Sequence, residues 1–166
     1  MPAILVERNN HRAAVVALHR AVFGGDHEAE LVERLDRDGL VMVSLVALER
    51  KAVVGHILFS DLAVQIDGRP ISAASLAPSA VRPDFRGRGI GTRLVTNGLR
   101  ILRERGKAAA IVLGHPGYYR RFGFSAELAR KLAGPFKGES FMALELVGGA
   151  LDGVVGSVRY PAAFRI

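Results

Sequence analysis

Apolar residues along the chain recur at two spacings, and each change of spacing predicts a boundary between elements. "AILVERN" predicts a first strand, and two segments of helical period follow it. Asn9 or Asn10 is suited to cap the first helix, while Asp26 opens the second and Gly39 ends it. The residues expected on the buried faces of these two helices are Ala13, Ala14, Ala17, Leu18, Val22, Leu31, Val32 and Leu35.

Three strands are predicted next. "LVMVSLVALE" and "AVVGHILFSDLAVQI" are rich in β-branched residues and are separated by the polar "RK", which favours an antiparallel hairpin. "DGRP" predicts a turn, and "ISAASLAPSAV" a third strand. Pro78 cannot donate a ladder hydrogen bond, so it favours a bulge that separates this strand from a later one at its carboxyl end.

The second half of the chain predicts a parallel crossover. A helix is expected from about Arg88 to Arg105, closed by Gly106, and the buried strand "AAAIVLG" follows it. "PGYYRRFGF" is too short for more than two helical turns, and "FMALELV" predicts another strand. The tail "GVVGSVRYPAAF" alternates in a way that fits an edge strand. The pattern predicts an α/β fold with a mixed sheet, in a single domain over residues 1–166.

Composition narrows the class of protein. Apolar residues make up 49% of the 166 residues and charged residues 23%, which is typical of a folded globular domain. No apolar run approaches the roughly 18 residues of a membrane span, and no signal peptide is evident, so a cytoplasmic protein is expected. The chain has no cysteine, hence no disulfide and no thiolate nucleophile. Its histidines lack the spacing of zinc ligands, so no metal is expected.

The net charge of +7 suits nucleic acid, an acidic surface or a small polyanion. Much of this charge lies in "VRPDFRGRGIGTRLV", where glycines alternate with larger residues before a helix. A dinucleotide fingerprint fails there at Thr92, and the Gly-Lys-Ser/Thr of a nucleoside-triphosphate loop is absent. The remaining pattern, Arg86-x-x-Gly89-x-Gly91 at a helix N-terminus, favours a phosphate site; the alternative is a solvated glycine-rich turn.

Two linked motifs carry a family resemblance. Arg86, Gly89 and Gly91 match the Q/R-x-x-G-x-G/A loop of the GNAT superfamily of N-acetyltransferases, and "YRRFGF" resembles the family's later Y-x-x-x-G-F signature. "VLGHPGYYRRFGF" and "FMALEL" are similar to a bacterial branch, the YhbS-like proteins. The resemblance implies a mostly antiparallel sheet with one parallel strand pair splayed at an acetyl-CoA site. One departure is "LGHPGYY", where many members have an asparagine.

The resemblance also implies site residues. Tyr119 is the expected general acid for the departing coenzyme thiolate, with Tyr118 as second choice; a buried structural tyrosine is the alternative. His115 or a water chain is the candidate base. The backbone of residues 79 to 81 is expected to line the pantetheine arm. The loop amides are expected to hold the pyrophosphate, and the side chains of Arg86 and Arg88 to add positive charge near it. The expected coenzyme-binding residues are Ser79, Ala80, Val81, Arg86, Gly87, Arg88, Gly89, Ile90, Gly91 and Thr92.

The resemblance implies an N-acetyltransferase that moves the acetyl group of acetyl-CoA to a primary amine in a ternary complex. Two alternatives stay open. One is a non-enzymatic nucleic-acid-binding module, although 7% aromatics and no tryptophan give little base stacking. The other is a regulatory domain that binds acetyl-CoA without transferring its acetyl group. The acceptor, a small molecule or a protein amine, is left open, as is the oligomeric state, a homodimer included. No membrane partner is expected.

Overall fold

The computed structural model describes all 166 residues, Met1–Ile166. It begins with strand β1 (Ala3–Val6), a 3-10 turn (Asn9–His11), helix α1 (Arg12–Phe23) and helix α2 (His27–Arg37). The predicted asparagine cap is thus replaced by a turn in which His11 Nδ1 accepts from the backbone N–H of Arg8.

The buried face of α1 includes the predicted Leu18 but otherwise differs from the prediction, whereas that of α2 agrees with it. Ala13, Ala14 and Ala17 are exposed, because the larger side chains of this helix remove more apolar surface from water when they turn inward. The buried residues of α1 are Val15, Val16, Leu18 and His19.

A long antiparallel hairpin forms the middle of the sheet, as predicted. Strands β2 (Val41–Glu49) and β3 (Ala52–Ile66) are joined by a two-residue turn, in which Arg50 and Lys51 have φ angles of 48° and 72°. A second two-residue turn, at Asp67 and Gly68, leads into β4.

The parallel crossover is also confirmed. Strand β4 (Arg69–Val81), helix α3 (Ile90–Glu104) and strand β5 (Ala109–Leu113) follow in order, and β4 pairs in parallel with β5. This pairing ends at Leu76, although β4 continues to Val81. Pro78, which follows a cis peptide bond, lies in the stretch of β4 beyond the pairing. The strands therefore stop pairing where the proline predicted a disruption.

The C-terminal part adds short elements. Helix α4 (Pro116–Tyr119), a 3-10 turn (Arg120–Phe122), helix α5 (Ala126–Ala129), strand β6 (Leu132–Ala133) and strands β7 (Phe141–Glu145) and β8 (Gly156–Arg159) complete the chain. Strand β8 pairs antiparallel with β3 and parallel with β6. The tail is therefore not an edge strand, because the two-residue β6, which the sequence pattern did not reveal, covers its outer side.

The sheet has eight strands in the order β1-β2-β3-β4-β5-β7, with β8 and β6 joined through β3. The sheet is mostly antiparallel and is flanked by helices, which confirms the predicted α/β fold with a mixed sheet. The Cα positions divide into two compact units, Met1–Ser60 with Ala77–Arg100, and Asp61–Leu76 with Ile101–Ile166. The assignment of one domain stays a prediction. None of the helices is long and apolar enough to cross a membrane.

Candidate functional site

The glycine-arginine loop belongs to the first unit and connects β4 to α3. A 3-10 turn, Pro83–Phe85, follows the strand, and the chain then passes through Gly87 and Gly89 with φ angles of 75° and 79°. Residues with a Cβ rarely adopt such angles, which explains the two glycines. The backbone N–H of Arg93 donates to the carbonyl of Gly89 over 3.0 Å, so Gly89 caps the helix.

Six consecutive backbone N–H groups, those of residues 87 to 92, donate no hydrogen bond in the structure. They include the first amides of α3, where the helix dipole adds partial positive charge. A Cβ built on Gly87 or Gly89 would meet no heavy atom within 4 Å, so the loop faces open space. Unpaired donors beside open space at a helix N-terminus form a suitable binding site for an anion.

The arginine side chains around this loop are partly engaged. Arg82 pairs with Asp84 at 2.7 Å, and the guanidinium groups of Arg82 and Arg88 lie over the Phe85 ring at 5.2 and 4.9 Å. Arg86 donates from Nε to the carbonyl of Val81 over 3.2 Å and is otherwise exposed. Each arginine is therefore held near the loop, while the predicted role of Arg86 and Arg88 in phosphate binding stays a prediction.

The three strand residues expected to line the pantetheine arm form the end of β4. Ala80 is buried, and Ser79 and Val81 are half-buried. The backbone N–H of Arg82 donates to the carbonyl of Val54 over 2.8 Å and so fixes this end of β4 against β3. Their predicted role also stays a prediction.

Tyr119 belongs to the second unit and ends helix α4. Its ring packs edge-on against Tyr118 at 5.0 Å and against Phe124 at 5.8 Å. Gly114 leaves the space that this ring occupies, since a Cβ there would collide with it. Burial, together with the nearby Tyr118, raises the pKa of Tyr119 to about 12. The half-buried side chain makes no hydrogen bond through its hydroxyl within the protein, so the hydroxyl is free to donate, and the raised pKa keeps it protonated at neutral pH.

The other candidates lie beside Tyr119 in sequence. The guanidinium of Arg121 covers the ring of Tyr118 at 4.6 Å. His115 caps α4 through its backbone, because its carbonyl accepts from the N–H groups of Tyr118 and Tyr119. Its side chain is exposed and makes no hydrogen bond in the structure. The structure contains no group of three or more His, Asp or Glu side chains placed to hold a metal ion.

Sequence patterns did not reveal one buried polar cluster in the first unit. Glu7, Ser44, His56 and His19 are linked in a row by hydrogen bonds of 2.7, 2.8 and 2.8 Å. In the sequence, the cluster is indicated only by His19 and His56, two histidines on apolar segments. Their spacing does not match that of zinc ligands and predicts no other arrangement. The four members of the cluster come from four different elements or their flanks, so no local motif marks them.

Comparison with known proteins identifies the family. Residues 8–126 match the model of the family described as "Acetyltransferase (GNAT) domain", a range that includes both the loop and Tyr119. The chain belongs to the GNAT acetyltransferase family. The resemblance drawn from the two motifs is therefore confirmed.

Relatives of this GNAT acetyltransferase extend over nearly its whole length. It is 38% identical over 152 residues, 90% of each chain, to the protein described as "Uncharacterized N-acetyltransferase YhbS" of Escherichia coli K12. The crystal structure of Escherichia coli YhbS in complex with CoA has a TM-score of 0.89 and 36% identity, covering 99% of this chain and 92% of YhbS. A GNAT acetyltransferase from Brucella melitensis in complex with acetyl-CoA has a TM-score of 0.80 and 34% identity, covering 99% and 98%.

Proposed function

We propose that this GNAT acetyltransferase transfers the acetyl group of acetyl-CoA to a primary amine by direct attack in a ternary complex. The observation that carries the proposal is the row of six unpaired backbone N–H groups, residues 87 to 92, at the start of α3. The complexes of its relatives with CoA and with acetyl-CoA support the same coenzyme here.

The loop suits a pyrophosphate in both charge and shape. Its amides can donate several hydrogen bonds to phosphate oxygens, and hydrogen bonds to charged groups each contribute about 1.5–3 kcal/mol. Gly87 and Gly89 present no Cβ, so phosphate oxygens can approach the main chain closely. The backbone of Ser79, Ala80 and Val81 is proposed to line the pantetheine arm, and Arg86 and Arg88 to add positive charge near the phosphates.

Tyr119 is the proposed general acid. Acetyl-CoA supplies an activated thioester, and the departing thiolate needs a proton or a hydrogen-bond donor. With its pKa raised to about 12, the phenol stays protonated at neutral pH. A thiol has a pKa of about 8.5, so complete proton transfer from such a phenol is uphill. The main contribution we expect is a hydrogen bond that strengthens as negative charge develops on sulfur.

The amine must lose a proton before it attacks, since an alkylammonium has a pKa of about 10.4. His115, which is exposed and makes no side-chain hydrogen bond, or a water chain is the proposed acceptor of that proton. The chain has no cysteine, so no cysteine acyl-enzyme can form. A small-molecule or protein amine as acceptor and a cytoplasmic location complete the proposal.

Calorimetric titration of the protein with acetyl-CoA and with CoA tests the coenzyme site directly. We expect saturable binding with one site per chain. Absence of heat at millimolar coenzyme would overturn the proposal. A panel of primary amines, assayed by release of free thiol, then separates an acetyltransferase from a regulatory domain, which would bind acetyl-CoA and release no thiol with any amine.

A further inference from the structure

A row of four polar side chains runs through the interior of the first unit. Ser44 Oγ of β2 donates to Glu7 Oε1, just after β1, over 2.7 Å, and lies 2.8 Å from His56 Nε2 of β3. His56 Nδ1 lies 2.8 Å from His19 Nε2 of α1. Both histidines are fully buried, and the Glu7 side chain is 4% exposed. We call this row the histidine chain.

The carboxylate of Glu7 determines which nitrogen carries each proton in the histidine chain. An ionised carboxylate only accepts, so Ser44 donates to Glu7 and must accept from His56 Nε2–H. His56 Nδ1 is then a lone pair, which accepts from His19 Nε2–H. Both histidines are neutral with the proton on Nε2. The single lone pair left over is that of His19 Nδ1.

His19 Nδ1 is buried and has no hydrogen-bond partner. The groups around the chain are Glu7 at its far end, Arg12 of α1 bonded to Glu7 at 2.7 Å, and Asp36 of α2 bonded to Arg12 at 3.2 Å. Phe23 of α1 stacks on the His19 ring with 5.9 Å between centroids. No hydrogen-bond acceptor lies within reach of His19 Nδ1, so a proton placed there has no partner.

We propose that the histidine chain is an acid-sensitive switch, which holds α1 on the sheet at neutral pH and releases it when His19 Nδ1 takes up a proton. The switch requires no coenzyme and does not depend on the proposed function. Its partners come from four separate places in the sequence, so one protonation event affects the attachment of α1 to the neighbouring strands.

A proton on His19 Nδ1 has two fates while α1 stays docked, and both are unfavourable. It can remain as an imidazolium in a buried site, with an N–H that has no acceptor. Alternatively, each proton moves one step along the chain, from His19 to His56, to Ser44 and to Glu7. That shift leaves both histidines protonated on Nδ1 and Glu7 neutral. Arg12 then keeps only its longer ionic bond to the exposed Asp36, and His19 Nδ1–H still has no acceptor. Release of α1 into water relieves both.

The direction of the pH effect follows from burial. Desolvation, opposed in part by the negative charge of Glu7, lowers the pKa of His19 to about 4 from an ordinary value of 6.5. Burial and the neighbouring His19 and Arg12 also lower the pKa of His56. The released state therefore binds more protons than the docked state between about pH 6.5 and 4. Docking of α1 is strongest above pH 6.5 and weakens as the pH falls through this window.

Long-range ¹H–¹⁵N correlation spectra of the wild-type protein at pH 7.5 test the arrangement itself. We expect two of the five histidines to be neutral with the proton on Nε2 at pH 7.5 and to remain so at pH 6. A proton on Nδ1 of His19 or His56 at pH 7.5 would overturn this order of donors and acceptors along the histidine chain. No variant is needed, so misfolding cannot obscure the answer.

Hydrogen exchange measured by mass spectrometry tests the switch. After correction for the intrinsic pH dependence, the opening constant of α1 amides is expected to rise roughly 30-fold between pH 7.5 and 5, from the two pKa values of His19. Amides of β5 and β7 in the second unit serve as the reference. His19→Leu should reduce the rise in α1 to the part that His56 contributes, while His27→Leu, at an exposed position of α2, should keep the full rise. A flat opening constant, or an equal rise in β5, would overturn the proposal.

Discussion

The two regions that carry the family motifs differ in the groups they offer: one offers main-chain atoms and the other a side chain. The loop from Gly87 to Thr92 offers main-chain N–H groups. Gly87 and Gly89 keep them accessible because neither residue has a side chain. The region around Tyr119 offers one phenol hydroxyl, held by packing against Tyr118 and Phe124. Residues 87 to 89 of the loop are exposed, and backbone angles preorganise the loop, whereas the Tyr119 hydroxyl depends on burial, which raises its pKa to about 12.

This difference predicts a separation of binding from turnover. Changes of backbone geometry in the loop should affect coenzyme affinity, and removal of one hydroxyl at position 119 should affect the rate. Mutation of a loop arginine should do little, because side chains are secondary there. Three substitutions test this separation: one of a loop glycine, one of the Tyr119 hydroxyl and one of a loop arginine.

Gly89→Val should produce the largest effect. Valine is strained at a φ of 79° and would project its side chain into the space where phosphate oxygens are proposed to lie. Loss of two charge-assisted hydrogen bonds, at about 1.5–3 kcal/mol each, lowers coenzyme affinity by roughly 10²- to 10⁴-fold. Titration calorimetry with acetyl-CoA measures the change.

Gly39→Val is the matched control for that variant. Gly39 also has a positive φ, of 70°, and a Cβ there also meets nothing within 4 Å, but it follows α2. Both variants carry the same kind of strain, so both should lose about 1–3 kcal/mol of stability, and only Gly89→Val should lose coenzyme binding. Intact binding by Gly89→Val would remove the loop from the site.

Tyr119→Phe should lower turnover by roughly 10²-fold, the scale expected when one hydrogen-bond donor to developing negative charge is removed, with coenzyme affinity unchanged. The ring and its contacts are kept. The Tyr119 hydroxyl makes no hydrogen bond within the protein, so the free energy of unfolding should change by less than about 0.5 kcal/mol. Turnover is measured with any amine that wild-type protein acetylates.

Tyr118→Phe provides the comparison at the neighbouring position, where Arg121 covers the ring at 4.6 Å. Its turnover should stay close to that of the wild type. If Tyr118→Phe is the slow variant, the roles of the two tyrosines are reversed. An unchanged rate in both variants would show that neither of these two phenols takes part in the reaction.

Sequence predicted best where a local rule determines the structure. The β2–β3 hairpin, the crossover through α3 and the loop glycines all follow from short-range patterns, since turns, helix period and positive φ angles depend on a few adjacent residues. The sequence therefore predicts where the loop lies. It does not predict that six consecutive N–H groups of the loop are unpaired.

Prediction failed where distant residues decide. On the buried face of α1 the prediction is right for Leu18 and wrong for the three alanines, because "AAVVAL" offers two apolar faces and only the sheet selects between them. Strand β8 was expected at an edge, because the two-residue β6 that pairs with it has no pattern of its own. The histidine chain was missed for the same reason. Its four members lie far apart in sequence, and only the fold brings them together.

Arg86→Ala should have the smallest effect of the three. Its Nε already donates to the carbonyl of Val81, and the side chain is exposed, so its charge is screened by solvent. An exposed ionic contact contributes about 0–1 kcal/mol, which corresponds to a loss of coenzyme affinity of no more than about fivefold. The difference from wild type should disappear as the salt concentration rises from about 0.05 to 0.5 M.

Arg37→Ala separates this local effect from a general loss of positive charge. Arg37 is an exposed arginine at the end of α2, so its removal lowers the net charge of +7 by the same amount. Coenzyme affinity should not change in this variant, because its charge lies on a different element from the loop. A loss greater than tenfold in Arg86→Ala, persisting in high salt, would contradict the comparison between the two motif regions. The Arg86 guanidinium, and not the main chain of the loop, would then be the principal contact of the phosphates.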